Sequence, residues 1–106
     1  MENLTIQEMR TLQSAVLTYG TDRQTFKAAE ELGELIQALC KYQAEAADGD
    51  FLLLWDHISE EMADVYIMLA QMEIIHNNKN HVESWIHKKL ERLRTRIDTG
   101  GEAPAK

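Results

Sequence analysis

A chain of 106 residues, 44% of them hydrophobic and 27% charged, is the size of one domain and has the composition of a globular protein. Its formal net charge of −7 argues against a nucleic-acid polymer as partner, because affinity for the phosphate backbone comes from Lys and Arg. No apolar run approaches the roughly 20 residues of a membrane span. The sequence start lacks the features of a signal peptide and the one cysteine has no internal disulfide partner, so we expect a cytoplasmic protein.

Long segments of helix-forming composition make up most of the chain. The one proline is Pro104, and the five glycines, at positions 20, 33, 49, 100 and 101, leave long unbroken segments. We therefore expect an all-α fold. The predicted helices span about residues 5–19, 22–47, 51–77 and 81–97.

Each predicted helix start has a candidate N-cap. Ser, Thr, Asp and Asn are preferred there, and a Glu or Gln three positions later forms a capping box. The candidates are Thr5 with Glu8, Thr21 with Gln24, Asp50 after Gly49, and Asn80 with Glu83.

The second and third predicted helices each carry apolar residues in steps of four and three, the spacing of helices that pack at a shallow angle in a bundle. The predicted seams are Ala28, Leu32, Leu35, Leu39 and Tyr42 in one helix, and Ile58, Met62, Val65, Leu69 and Met72 in the other. The short connection AADGD between the two helices favours an antiparallel pair.

These patterns predict a domain of the four-helix-bundle type over residues 1–97. A small helical core with more than one apolar face is often completed by self-association, so we expect a homodimer or a dimer of dimers. Residues 98–106, where glycine and proline collect, are predicted to form a disordered tail.

Two acidic stretches repeat one pattern, EELGEL at residues 30–35 and EEMADV at residues 60–65. Glu31 and Glu34 each precede a predicted seam residue, and so do Glu61 and Asp64. Residues three apart lie on one face of a helix, so each stretch presents a pair of carboxylates. If the helices pack through their seams, we expect the two pairs to face each other.

Four carboxylates at the edge of an apolar interface would repel one another unless a cation lay among them. Oxygen ligands without a neighbouring cysteine favour a hard cation, Mg²⁺ or Mn²⁺, which readily takes phosphate oxygens as further ligands. The alternative for each stretch is a solvated helix face. Gly33 and Ala63 occupy the same place in both copies, and because a mid-helix glycine costs about 1 kcal/mol, we expect Gly33 to serve close packing.

The two motifs, EExxE and ExxD, lie within the texts KAAEELGELIQALCKY and ISEEMADVYIMLAQM. In order, separation and helical context they resemble the MazG-like all-α nucleoside triphosphate pyrophosphohydrolases over most of residues 5–97. Dimeric dUTPases and phosphoribosyl-ATP pyrophosphohydrolases belong to the same superfamily. The resemblance implies a MazG-like domain that hydrolyses a nucleoside triphosphate, with Mg²⁺, to the monophosphate and pyrophosphate.

The acidic residues of that family's metal site carry over by motif. The resemblance implies Glu31, Glu34, Glu61 and Asp64 as metal ligands, with Glu30 as an accessory acid. One carboxylate would take a proton from the attacking water, and Glu31 and Glu34 are the candidates.

Candidate phosphate-binding residues lie in two segments. Lys27 is on the helical line of the first carboxylate pair, although a helical ion pair with the acid four residues on is an equal alternative. Family members commonly carry a later segment of the form Lys-x-x-x-Asn-x-x-Arg. Lys89 and Arg96 match its ends, Arg92 lies between them, and Leu93 stands at the asparagine position, which leaves base or sugar recognition open.

The resemblance implies two functional hypotheses, and the departure from it suggests a third. The first is a pyrophosphohydrolase with a role in removing non-standard nucleotides. The second is a narrower specificity for dUTP, dCTP or phosphoribosyl-ATP. The third is a non-catalytic helical module that binds nucleotide or metal, which the leucine at the asparagine position favours.

Overall fold

The computed structural model describes residues 3–101, and within that range the chain is helical without a strand. The helices are α1, Ile6–Tyr19; α2, Thr21–Glu45; α3, Phe51–His76; and α4, Lys79–Asp98. The all-α prediction is confirmed, and the predicted helix ends are close to these bounds. Residues 102–106, the greater part of the predicted tail, lie outside the described residues.

The chain divides into two compact units, one that contains α1, α2 and α3 and one that contains α4. In the first unit α2 and α3 form the principal helix pair, and α1 packs against both. Among the described residues no helix combines the length and the apolar character that a membrane crossing requires.

The predicted antiparallel pairing of α2 and α3 is confirmed by contacts at both ends of the pair. Next to the connection, the rings of Tyr42 and Phe51 lie 5.9 Å apart between centroids. At the far end, the side chain of Gln24 donates a hydrogen bond to that of Gln71 over 2.6 Å. These contacts fix the register in which the acidic stretches meet.

The connection between α2 and α3 needs a glycine. The amide of Gly49 donates to the Glu45 carbonyl oxygen over 2.7 Å. A Cβ at this position would lie 2.9 Å from that same oxygen, which is too close for any other residue. The Leu53 amide then donates to Asp50 Oδ1 over 3.1 Å, so the predicted cap at Asp50 is confirmed.

The capping box that starts α1 is also confirmed. The Glu8 amide donates to Thr5 Oγ1 over 3.0 Å, and the Thr5 amide donates to Glu8 Oε1 over 2.9 Å. The hydrogen bond from the Thr5 amide, followed by that from the Thr5 side chain, lowers the pKa of the Glu8 carboxyl. The box therefore satisfies two amides that a helix start leaves without partners.

The other two predicted capping boxes are wrong. Gly20, with a φ of 88°, both ends α1 and precedes α2, so Thr21 is already helical and Gln24 is buried instead of capping. Glycine adopts this positive φ without steric cost, so α2 begins directly after α1 without a linker. At the start of α4 the N-cap is Asn78, which places Asn80 and Glu83 inside the helix.

The predicted seams are partly wrong, because the buried faces of α2 and α3 are rotated from them. Ala28 and Val65 are buried as expected, but Leu32, Leu39, Met62 and Leu69 are 45%, 48%, 41% and 47% exposed. The buried positions are Gln24, Ala28, Glu31 and Ala38 in α2, and Glu61, Val65, Met68 and Gln71 in α3. Glu31 and Glu61 thus lie inside the helix interface rather than at its edge.

Two rows of large apolar side chains remain on the surface of the first unit, and we call them the outer apolar stripes. The stripe on α2 comprises Leu32, Ile36 and Leu39, and the stripe on α3 comprises Leu52, Trp55, Met62, Tyr66 and Leu69. The buried apolar residues of the same unit are small in number by comparison: Leu12, Ala28, Ala38, Val65 and Met68. Gly33 has nothing within 4 Å of a Cβ built on it, so the expected close packing there does not occur within the described chain.

Candidate metal centre and adjoining cavity

Three carboxylates lie close together near the middle of the interface between α2 and α3. Glu31 and Glu34 come from adjacent turns of α2, and Glu61 comes from α3. Each offers an oxygen within 4.8 Å of the others. Glu31 is 6% exposed and Glu61 is 8% exposed, whereas Glu34 is exposed at the rim. The cluster therefore reaches from the helix interface to solvent.

The buried carboxylates are incompletely paired. Lys27 Nζ lies 3.0 Å from Glu31 Oε1 and 3.4 Å from Glu30 Oε1. Within the described chain, Glu31 Oε2 and Glu61 Oε2 are buried without a hydrogen-bond partner. A buried polar atom left in this state costs roughly 1–3 kcal/mol, and more when it is charged. The arrangement is therefore unfavourable unless another positive group joins it.

The protonation of the cluster reflects the same shortage of positive charge. The pKa of the Glu34 carboxyl is raised, first by a hydrogen bond with Glu31 and then by the negative charge of Glu31, with smaller effects from burial, Glu61 and Glu30. The pKa of Lys27 is raised as well, chiefly by its hydrogen bond to Glu31. The raised pKa of Glu34 thus follows from the carboxylates gathered around it.

The cluster has the donor set of a hard cation. Glu31, Glu34 and Glu61 each offer an oxygen within 4.8 Å of the other two, and carboxylate oxygens are ligands that hard cations prefer. A cation would also satisfy the two orphaned oxygens, so the residues present fit Mg²⁺ or Mn²⁺.

A second group of possible ligands overlaps the first. His57 and Glu60 come within the same 4.8 Å limit of Glu61, but both are exposed. Exposed side chains are free to point into water and carry little of the burial cost that makes the first group unusual. The group formed by Glu31, Glu34 and Glu61 is therefore the stronger candidate.

Asp64, the fourth predicted ligand, is not part of either group. It is half-buried and lies on the wall of a cavity of about 490 Å³ between α1, α2 and α3. The cavity is lined by Ala15, Tyr19, Arg23, Gln24, Lys27, Glu31, Asp64, Ile67, Met68 and Gln71. Because Glu31 belongs to both the cluster and the wall, the cavity opens directly beside the candidate metal centre.

The remaining predicted site residues are on surfaces. Glu30 is exposed and pairs with Lys27. Lys89, Arg92 and Arg96 are exposed on α4, in the other unit. The charged groups of Lys89 and Arg92 lie 5.8 Å and 5.9 Å from the centre of the Trp85 ring, within the range of a cation–π contact.

Four cavity residues with polar side chains were not predicted as site residues: Tyr19, Arg23, Gln24 and Gln71. Gln24 lies seven residues before Glu31, and Gln71 lies seven residues after Asp64. Residues seven apart lie two turns along the same face of a helix, so each glutamine is on the same helix face as its acid. The polar character of these positions was the available signal.

Comparisons with known protein families, with curated proteins and with solved structures find no match to this chain.

Proposed function

We propose that this chain is a Mg²⁺-dependent nucleoside triphosphate pyrophosphohydrolase of the MazG-like type. The observation that carries the proposal is the pair of buried carboxylate oxygens without partners, on Glu31 and Glu61, beside a cavity that also holds a lysine and an aspartate. Buried unpaired carboxylates call for a cation, and a cation of this class next to a cavity favours a phosphorylated ligand. The resemblance of the two acidic motifs to that family agrees with this chemistry.

The proposed cofactor is Mg²⁺, with Mn²⁺ as an alternative. Glu31, Glu34 and Glu61 would hold the ion, and Asp64 would approach it from the cavity wall. When bound, the ion supplies charge neutralisation of the polyphosphate and polarisation of the phosphoryl oxygens.

The protein's own groups have distinct proposed roles. Glu34, whose carboxyl is exposed at the rim of the cluster, would take the proton of the attacking water. Glu31 is held in place by Lys27, which also lines the cavity and whose ammonium group would donate to a phosphate oxygen. A water oxygen forms a bond to phosphorus, the bridging bond between the α and β phosphates breaks, and the monophosphate and pyrophosphate leave.

The cations of α4 enter the proposal on the resemblance alone. Lys89, Arg92 and Arg96 would contact the phosphates, with Leu93 in place of the asparagine that family members carry. Replacement of Arg96 by Gln would then raise KM for the nucleotide with a smaller effect on kcat.

We further propose that the active form is a homo-oligomer, a homodimer or a dimer of dimers. The outer apolar stripes support this, since eight large side chains in two helical rows exceed the scattered exposure of an ordinary monomer surface. Sedimentation equilibrium of the full chain tests it, together with a Leu69→Lys variant. A wild-type protein that sediments as a monomer at micromolar concentration would contradict this part of the proposal.

The catalytic proposal is tested by pyrophosphate release from a panel of ribo- and deoxyribonucleoside triphosphates with Mg²⁺. We expect turnover by the wild type and its loss in Glu34→Gln and Asp64→Asn. Asp56→Asn, an exposed change of equal charge on α3, is the matched control and should retain activity. A folded protein that turns over nothing, dUTP, dCTP and phosphoribosyl-ATP included, would refute catalysis and leave a binding module.

A further inference from the structure

The cavity has two chemically different ends. Glu31 and Asp64 stand at one end, and a pair of hydrogen-bonded amides, Gln24 and Gln71, stands at the other. Seven residues of α-helix separate Gln24 from Glu31, which is a rise of about 10.5 Å. The acidic end suits a metal and a polyphosphate, so the amide end would receive whatever the polyphosphate is attached to.

The two glutamines are unusually buried for polar side chains. Gln24 is 6% exposed and Gln71 is 4% exposed. Their shared bond is 2.6 Å long, and Gln71 Nε2 also lies 3.6 Å from Met68 Sδ, a weak acceptor. Each amide has two N–H donors and an oxygen with two lone pairs. The pair therefore keeps donors and acceptors for another partner, and both side chains line the cavity.

The chemistry of the amide end matches the edge of a nucleobase. Two amides joined by one hydrogen bond present an acceptor on one side chain beside a donor on the other. Nucleobase edges carry adjacent donors and acceptors in one of two orders, and a glutamine amide accepts either after rotation by half a turn. If both amides rotate together, the bond between them is kept with its direction reversed.

We propose that the Gln24–Gln71 amide pair binds the hydrogen-bonding edge of the substrate's nucleobase. This inference rests on the proposed function, because it assumes that a nucleoside triphosphate lies along the cavity with its phosphates at the acidic end. The joint rotation of the amides makes the site accept both oxo and amino bases. It rejects bases that lack the exocyclic group, since a buried amide would then lose its partner.

The competing explanation is structural. A buried hydrogen bond between two helices fixes their register without touching any ligand, as a single buried polar pair does in a coiled coil. In that case replacing either glutamine would weaken the fold and would affect all nucleotides equally.

The test uses binding, so that it does not depend on turnover. Dissociation constants are measured by calorimetry on the full chain in Ca²⁺, a hard cation that takes the same oxygen ligands. The probes are ATP against purine riboside triphosphate, UTP against 2-pyrimidinone riboside triphosphate, and inorganic tripolyphosphate. The variants are Gln24→Met, Gln71→Met and, as the matched control, Gln37→Met on the exposed face of α2.

We expect the wild type and Gln37→Met to bind the complete base roughly ten-fold more tightly than its analogue, the cost of one buried unpaired group. In Gln24→Met and Gln71→Met this ratio falls towards one, while tripolyphosphate binding stays unchanged. Thermal unfolding of each variant measures any loss of fold separately.

Three outcomes decide the matter. A ratio near one in the wild type overturns the inference, whether or not the protein hydrolyses nucleotides. A wild-type preference that survives in both glutamine variants, or a loss of affinity shared equally by tripolyphosphate, also overturns it and assigns the pair to helix register. A preference that the variants abolish, in a protein without turnover, supports base binding and refutes only the catalytic proposal.

Discussion

Replacing Glu61 by glutamine should make the cation-free protein more stable. Glu61 is 8% exposed, and its Oε2 atom is buried without a partner among the described residues. Glutamine has the same shape, carries no charge, and brings an N–H that can donate to the neighbouring Glu31 or Glu34 carboxylate. The substitution thus removes a repulsion and an orphaned acceptor together.

The size of the effect follows from the geometry of the cluster. Two unit charges 4.8 Å apart, the largest separation for the buried pair Glu31 and Glu61, repel by about 3.5 kcal/mol at an effective dielectric constant of 20. Solvent screens the charge of the exposed Glu34, so its repulsion of Glu61 is smaller. An unsatisfied buried acceptor costs roughly 1–3 kcal/mol. We expect a net gain of about 2 kcal/mol, or an increase in melting temperature of roughly 5–15 °C for a domain of this size.

Divalent cations should make the wild type more stable than the Glu61→Gln variant. A cation that binds only the folded wild type stabilises it by about 1.4 kcal/mol at ten times its dissociation constant and by about 2.7 kcal/mol at a hundred times. The Glu61→Gln variant lacks the ligand and should gain little. Thermal unfolding of both proteins, with EDTA and across a Mg²⁺ and Mn²⁺ titration, measures the cation concentration at which their melting temperatures become equal.

The control for this experiment is Asp56→Asn, which makes the same charge change at an exposed position of α3. Its melting temperature should change by little in EDTA, and its response to cations should equal that of the wild type. A Glu61→Gln variant less stable than the wild type in EDTA would refute the reasoning, because the carboxylate would then be well paired in the cation-free fold.

Three further predictions concern single positions. Thr5→Ala removes the cap of α1 and should lower the free energy of unfolding in urea by about 1 kcal/mol, and no loss would mean that the box is not formed in solution. Gly33→Ala should raise the free energy of unfolding by about 1 kcal/mol, since no group lies within 4 Å of the added Cβ, whereas a loss would show that another chain occupies this space. Because the folded chain binds the Glu34 proton at higher pH than the unfolded chain, that group's stabilisation is present at low pH and is lost as pH rises through its raised pKa. Cation affinity should have the opposite pH dependence, because a proton on Glu34 competes with the cation. A calorimetric Mn²⁺ titration should show affinity that weakens as pH falls through that pKa and is constant above it. An affinity that is independent of pH down to the ordinary carboxyl range would contradict the raised pKa.

The helix bounds were predictable because the residues that start and end helices act locally. The box of Thr5 and Glu8, the cap at Asp50 and the glycines at 20 and 49 act within one turn of the chain, and periodicity supplied the rest. The phase of the interface was not predictable in the same way. Both long helices carry apolar residues on neighbouring stripes, and spacing alone does not say which stripe packs inward.

That error of phase changes the interpretation of the site. The sequence placed all four acids beside the seam, whereas the fold buries Glu31 and Glu61 within it and leaves Glu34 at the rim. The helix faces that are buried in the fold include charged residues, and a pattern of apolar residues does not predict this. The same packing brought Gln24 against Gln71, a contact between residues 47 positions apart that no local signal contains.

We propose that these carboxylates direct hydrolysis of a nucleoside triphosphate to the monophosphate and pyrophosphate. The most direct test is a ³¹P spectrum of the full chain with the nucleotide panel and Mg²⁺ in ¹⁸O-enriched water. We expect monophosphate and pyrophosphate in equal amounts without orthophosphate, the label in the product whose phosphorus was attacked, and no reaction in EDTA. Unchanged triphosphates, or a diphosphate with labelled orthophosphate, would contradict it.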